Sequence, residues 1–116
     1  MAIATVIVTV LLAAMFAFAS SIKLFGVRQS LEIRDHLGIS ANPWRVIGVL
    51  ELAGVIGALV GLVWCRPLGI AAAAGLALLS VGAIVSHLRA KDKVVDAVPA
   101  AIGLVLAVAT AVLQAT

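Results

Sequence analysis

Four long apolar segments constrain the fold of this chain more than any other feature. They cover residues 2–22, 43–64, 68–87 and 98–115, and charged residues or prolines bound them. A helix of roughly 20 apolar residues is long enough to cross the hydrocarbon core of a bilayer. Charged residues make up only 11% of the chain, too few to cover a water-soluble domain. We therefore predict one all-α transmembrane domain over residues 1–116, an integral membrane four-helix bundle in contact with lipid.

The connection between the first two apolar segments, residues 24–41, is long and mixed in character. Its apolar residues repeat on one helical face, while Arg28, Glu32 and His36 lie four residues apart on another. This pattern predicts a short interfacial helix, with Gly38 as its C-terminal cap. A solvated loop with chance amphipathicity is the alternative.

The lysines and arginines are distributed unevenly among the connections. Seven of the eight flank the first connection or lie in the third, a predicted polar loop at residues 88–97. These seven are Lys23, Arg28, Arg34, Arg45, Arg89, Lys91 and Lys93, against Arg66 alone in the turn at 65–67. The positive-inside rule then places both basic connections in the cytoplasm and both termini outside. A net charge of +3 is too small for a nucleic-acid surface, so no nucleic-acid partner is expected.

Glu51 is the one charged residue placed deep inside an apolar segment. It follows Trp44 by seven residues, about 10 Å along a helix axis. A charge at such depth normally faces the bundle interior and has a partner. Lys23 ends the first segment and His87 ends the third, in the same half of the membrane. We therefore predict a polar pocket of Glu51, His87 and Lys23, open to the cytoplasmic leaflet and suited to acid–base chemistry.

A structural role explains the same three residues nearly as well. Lys23 and His87 end their segments, where basic side chains complement the helix dipole and reach the interface. Glu51 would then be an electrostatic clasp that fixes the order of the helices. The sequence leaves both interpretations open.

Several other functions lack the residues that they need. The single cysteine, Cys65, excludes an intramolecular disulfide or dithiol pair, and two histidines with five acids leave little material for a metal site. We therefore expect no metal, and the glycine-rich and HExxH signatures are absent as well. Trp44 and Trp64 are about 30 Å apart along a helix, which predicts anchors at the two membrane interfaces. His36 is expected to be an ordinary surface residue.

Four stretches of this sequence resemble the DoxX-like family of small four-helix membrane proteins. The likeness is most specific at Lys23 with Gly26, at the Gly48-x-x-Glu51-Leu52 step, and at His87 before a basic–acidic loop. The four stretches are residues 18–26, 47–62, 82–92 and 97–107, so the likeness extends over nearly the whole chain.

The resemblance, taken together with the polar pocket, gives a location and three candidate roles. The location is the inner membrane of a bacterium. The leading role is an accessory or quinone-interacting component of a membrane redox or stress system, with a quinone as cofactor. The alternatives are an enzyme that acts on a small lipophilic substrate through Glu51 and His87, and an assembly partner without chemistry. A membrane protein or a second copy of the chain would be the macromolecular partner.

Overall fold

Five helices follow from the apolar segments and from the mixed connection between the first two. The computed structural model describes residues 2–116. The helices are α1 (Ile3–Leu24), α2 (Arg28–Leu37), α3 (Ala41–Val63), α4 (Arg66–Arg89) and α5 (Val94–Ala115). Every helix except α2 is long and apolar enough to cross a membrane, and no strand occurs in residues 2–116. The predicted all-α bundle with four spans is confirmed.

The four long helices form a closed ring. Helix α1 packs against α3 and α5, and α4 packs against the same two helices, so α1 and α4 lie diagonally opposite. The short helix α2 contacts the α1 and α4 side of one end of the bundle. This α2 end holds the C-termini of α1 and α4 and the N-termini of α3 and α5. The opposite end is called the far end below.

Two of the connections differ in detail from the sequence prediction. The predicted interfacial helix exists as α2, and Gly38 ends it with a φ of 72° while its N–H bonds to the carbonyl of Asp35. The predicted loop at 88–97 is too long, because the helices leave only residues 90–93 between them. Helix α5 begins early since the Asp96 carboxylate accepts a hydrogen bond from the backbone N–H of Lys93, 3.2 Å away.

Small residues bring α3 and α4 into close contact. The buried face of α3 carries Gly54, Ala58 and Gly61, as their spacing with Glu51 predicts. A Cβ on Gly61 would overlap the backbone of Gly69 on α4. Membrane helices associate through such close approach because lipid provides no hydrophobic drive between them.

A second polar group is buried at the far end, where the sequence analysis did not find one. Gln114 of α5 is 1% exposed, and its Nε2 donates to Thr9 Oγ1 at 3.3 Å and to the Ala58 carbonyl at 3.2 Å. Its Oε1 lies against Gly61 and Gly69 and receives no hydrogen bond from the residues that the structure describes. One amide therefore links α5 to α1 and α3.

The packing of α3 on α4 predicts that substitution of one glycine lowers the stability of the bundle, whereas substitution of another does not. Gly61→Ala forces the helices apart and should lower the free energy of unfolding by about 1–3 kcal/mol, as overpacking usually does. Gly75→Ala is the control, because no atom lies within 4 Å of a Cβ added there. Unfolding in detergent measures both, and equal stability of the two variants would contradict this account of the interface.

Candidate functional site

The site begins with an ion pair between the first and second spans. Lys23 Nζ of α1 lies 2.9 Å from Glu51 Oε1 of α3, and the two side chains are only 13% and 6% exposed. Apart from Lys23, no group in residues 2–116 donates a hydrogen bond to this oxygen. Gly48, one turn before Glu51, lets α1 approach, since a Cβ there would be 3.1 Å from that of Lys23. The structure thus brings together two of the three predicted site residues.

The indole ring of Trp44 packs against the Lys23 side of this ion pair. Lys23 Nζ lies 5.0 Å from the centroid of the Trp44 ring, a cation–π distance. The indole Nε1–H donates to Ser30 Oγ of α2 at 3.0 Å, and Ser30 is fully buried. The Trp44 ring is buried between Lys23 and Ser30, and its role as an anchor at a membrane interface stays a prediction. Trp64, at 87% exposure, has no such partners.

His87 does not pair with Glu51 or Lys23 but with the loop that follows it. Its Nδ1 lies 2.7 Å from Asp92 Oδ2, and His36 Nε2 of α2 lies 2.5 Å from Asp92 Oδ1. Hydrogen bonds from His36 and His87 lower the pKa of Asp92. His36 is therefore more than the ordinary surface residue that the sequence suggested, since it ties α2 to the end of α4.

One cavity of about 840 Å³ lies between α1 and α4, beneath α2, and it is bordered by the Lys23–Glu51 pair, Trp44, and the cluster of His36, His87 and Asp92. Its innermost part is formed by Phe16, Ser80 and Gly103, where a Cβ on Gly103 would lie 3.2 Å from the Phe16 ring. Its polar and charged lining residues are Lys23, Gln29, Glu32, His36, Glu51, Ser80, Ser86, His87, Asp92 and Asp96. The rest of the lining is mainly apolar, so the cavity suits a lipophilic molecule with a polar head.

Two features limit the chemistry available in the cavity. The buried Ser80 hydroxyl donates to the Leu76 carbonyl of its own helix, 3.0 Å away, which occupies its proton. Among residues 2–116, no three His, Cys, Asp or Glu side chains are grouped so that they could hold a metal ion. Lys23, Glu51 and the His87–Asp92 pair all line the cavity, together with the ionisable side chains of Glu32, His36 and Asp96.

The contact of Asp92 with two histidines predicts that this carboxylate holds α2 in place. In Asp92→Asn, both histidines lose a charged acceptor, and amide hydrogen exchange in residues 28–37 should become faster at pH 7. Because the pKa of Asp92 is lowered in the folded protein, its contribution is complete above the unfolded value of about 4. It is then lost as the pH falls through the lower folded value.

The exposed Asp35, which pairs only with its neighbour Arg34, provides the control substitution Asp35→Asn. Equal exchange in wild type and Asp92→Asn at pH 7 would show that α2 is held without this contact.

Comparison with known proteins places these features in a family. The model of the DoxX-like family matches residues 7–111, which include Lys23, Glu51 and His87. A search of the curated proteins and a search of the solved structures gave no match. Four apolar helices and a family match over nearly the whole chain make this a multi-pass membrane protein in a lipid bilayer. The chain belongs to the DoxX-like family.

Proposed function

We propose that the protein is an accessory, quinone-interacting component of a membrane redox or stress system, and that its cavity holds the quinone ring. The observation that carries this proposal is the cavity itself, which has about 840 Å³ between α1 and α4. Ligand cavities of small molecules have volumes of roughly 300–1,000 Å³ and mainly apolar walls with a few polar groups. A quinone ring with a lipid tail matches that combination.

The polar groups of the cavity fit the two carbonyl oxygens of a quinone. Lys23 Nζ carries three N–H groups, and Glu51 neutralises its charge from 2.9 Å. The Lys23 ammonium can therefore donate to a carbonyl oxygen while no net charge faces the apolar ring. His87 binds Asp92 through Nδ1, which leaves Nε2 free to exchange a proton with a second oxygen.

A bound quinone would supply two-electron redox chemistry, with two protons taken up on reduction. The residues of this chain would bind the ring and pass protons at Lys23, Glu51 and His87. The electrons would come from a partner, since the single Cys65 cannot run a dithiol–disulfide cycle alone. This requirement fits an accessory component better than a complete oxidoreductase.

The His87–Asp92 pair favours a second candidate, an enzyme that acts on a small lipophilic substrate by acid–base chemistry. A carboxylate that binds one ring nitrogen of histidine orients the ring and leaves the other nitrogen to act as a base. In that case Glu51 and His87 would move protons on the substrate, and no electron donor would be needed.

Binding of a short-chain ubiquinone tests the proposed function. The variant Trp64→Phe leaves Trp44 as the single tryptophan, directly at the cavity, so its fluorescence should be quenched saturably. Adding Glu51→Gln leaves Lys23 without its counter-charge and should weaken binding at least about tenfold, equal to about 1.4 kcal/mol. Asp35→Asn, which removes a charge outside the cavity, should leave the affinity unchanged.

Two outcomes would contradict the quinone proposal. One is fluorescence quenching that does not saturate as quinone is added. Equal quenching of Trp64 fluorescence in the Trp44→Phe variant would count in the same way. The other concerns stability. If Glu51→Gln unfolds the protein, while the neutral double variant Lys23→Met/Glu51→Gln folds and binds ubiquinone as tightly as wild type, the ion pair is not needed for binding. That second result would identify the ion pair as a clasp and favour the assembly partner without chemistry.

We propose that the α2 end faces the cytoplasm of a bacterium and that both termini lie outside its inner membrane. Seven of the eight lysines and arginines belong to the α2 end, whereas Arg66 alone lies at the far end. Basic residues in short connections remain on the cytoplasmic side during insertion.

Cysteine labelling in whole cells checks this orientation. Ser40→Cys in a Cys65→Ser background should be protected from a membrane-impermeant maleimide until the inner membrane is opened. Cys65 of the wild-type chain lies in the turn at the opposite end and should react from the outside. Labelling of position 40 in intact cells would reverse the assignment.

A further inference from the structure

A second pocket lies at the α2 end and shares only Lys23 and Trp44 with the lining of the large cavity. It has a volume of about 320 Å³ and forms where the end of α1, the middle of α2 and the start of α3 meet. Three of its lining residues are cations, Lys23, Arg34 and Arg45, and no acidic side chain lines it. We call it the basic pocket.

The charges of the basic pocket are only partly compensated by the protein. Lys23 is neutralised by Glu51, whereas Arg45 forms no ion pair with any residue from 2 to 116. Arg34 binds the Asp35 carboxylate through Nε and Nη2, which leaves its Nη1 amino group without a protein partner in the described part of the chain. Two guanidinium groups therefore have hydrogen-bond donors to offer, and guanidinium geometry matches phosphate oxygens.

The start of α3 adds to the positive potential. Ala41, the first residue of α3, lines the pocket, and Ser40 before it makes no side-chain capping hydrogen bond. The positive end of the helix dipole therefore faces the same space as the two arginines.

We propose that the basic pocket binds the phosphate group of an anionic membrane lipid. The pocket lies where the first span ends and the second begins, which is the depth of the lipid head groups. Phe25 on its rim is 84% exposed and can contact acyl chains, whereas a soluble phosphate has no use for such a surface. Basic pockets between membrane helices are known to recognise anionic head groups.

Titration of the purified full chain with phosphatidylglycerol tests this inference, with native mass spectrometry used to count the lipid molecules bound to each protein. Wild type should retain one phosphatidylglycerol in preference to phosphatidylcholine. Arg34→Gln and Arg45→Gln should each weaken its binding about fivefold, the share expected of one basic residue near a membrane surface. Arg45 is exposed and unpaired, so the unfolding midpoint of Arg45→Gln without the lipid should equal that of wild type.

Arg28→Gln is the matched control, because Arg28 lies on the same helix as Arg34 but is 94% exposed and outside the pocket. An equal loss in Arg28→Gln would indicate general attraction to negative charge and would overturn the proposal. So would equal binding of phosphatidylglycerol and phosphatidylcholine. If free glycerol phosphate competes at the same concentration as the lipid, the source of the phosphate is soluble and the membrane assignment is wrong.

Discussion

The ion pair of Lys23 with Glu51 is the interaction on which the α2 end of this bundle depends. A bilayer offers no water to a buried charge, so each of these groups needs the other inside the protein. The pair joins the first span to the second, the Trp44 ring covers it, and the Trp44 N–H extends the contact to Ser30 of α2. One electrostatic contact thus positions three helices and one wall of the cavity.

The two ends of the bundle differ in how tightly their helices pack. At the far end, Gln114 binds groups on two neighbouring helices, and the glycines of α3 and α4 leave no space between the backbones. At the α2 end, the helices enclose about 840 Å³, and the polar side chains border that space. A tightly packed end fixes the ring of helices, and an open end leaves room for a ligand without loss of the fold.

Much of this arrangement follows from the sequence alone. The apolar segments predict the four spans, and a lone acid inside one of them predicts the burial of Glu51, because burying a charge is costly. The contact of His36 with Asp92 could not be predicted, since it joins α2 to a part of the chain 56 residues away. The hydrogen bond of Trp44 to Ser30 depends on how α2 packs against the start of α3. The burial of Gln114 could not be predicted either, because an uncharged amide in an apolar segment does not indicate its partners, here Thr9 and Ala58.

The proposed position of a quinone ring beside Lys23 and Glu51 is open to a direct chemical test. Photolysis with an azido-quinone, followed by mass spectrometry of the labelled peptides, identifies the residues that contact the ring. A ring bound in the cavity should give adducts at inward-facing residues of both α1 and α4, such as Phe16 and Ala83, and excess ubiquinone should suppress them. Adducts confined to outward-facing residues outside the cavity, such as Phe18 and Val81, or labelling that excess quinone does not reduce, would contradict the proposed site.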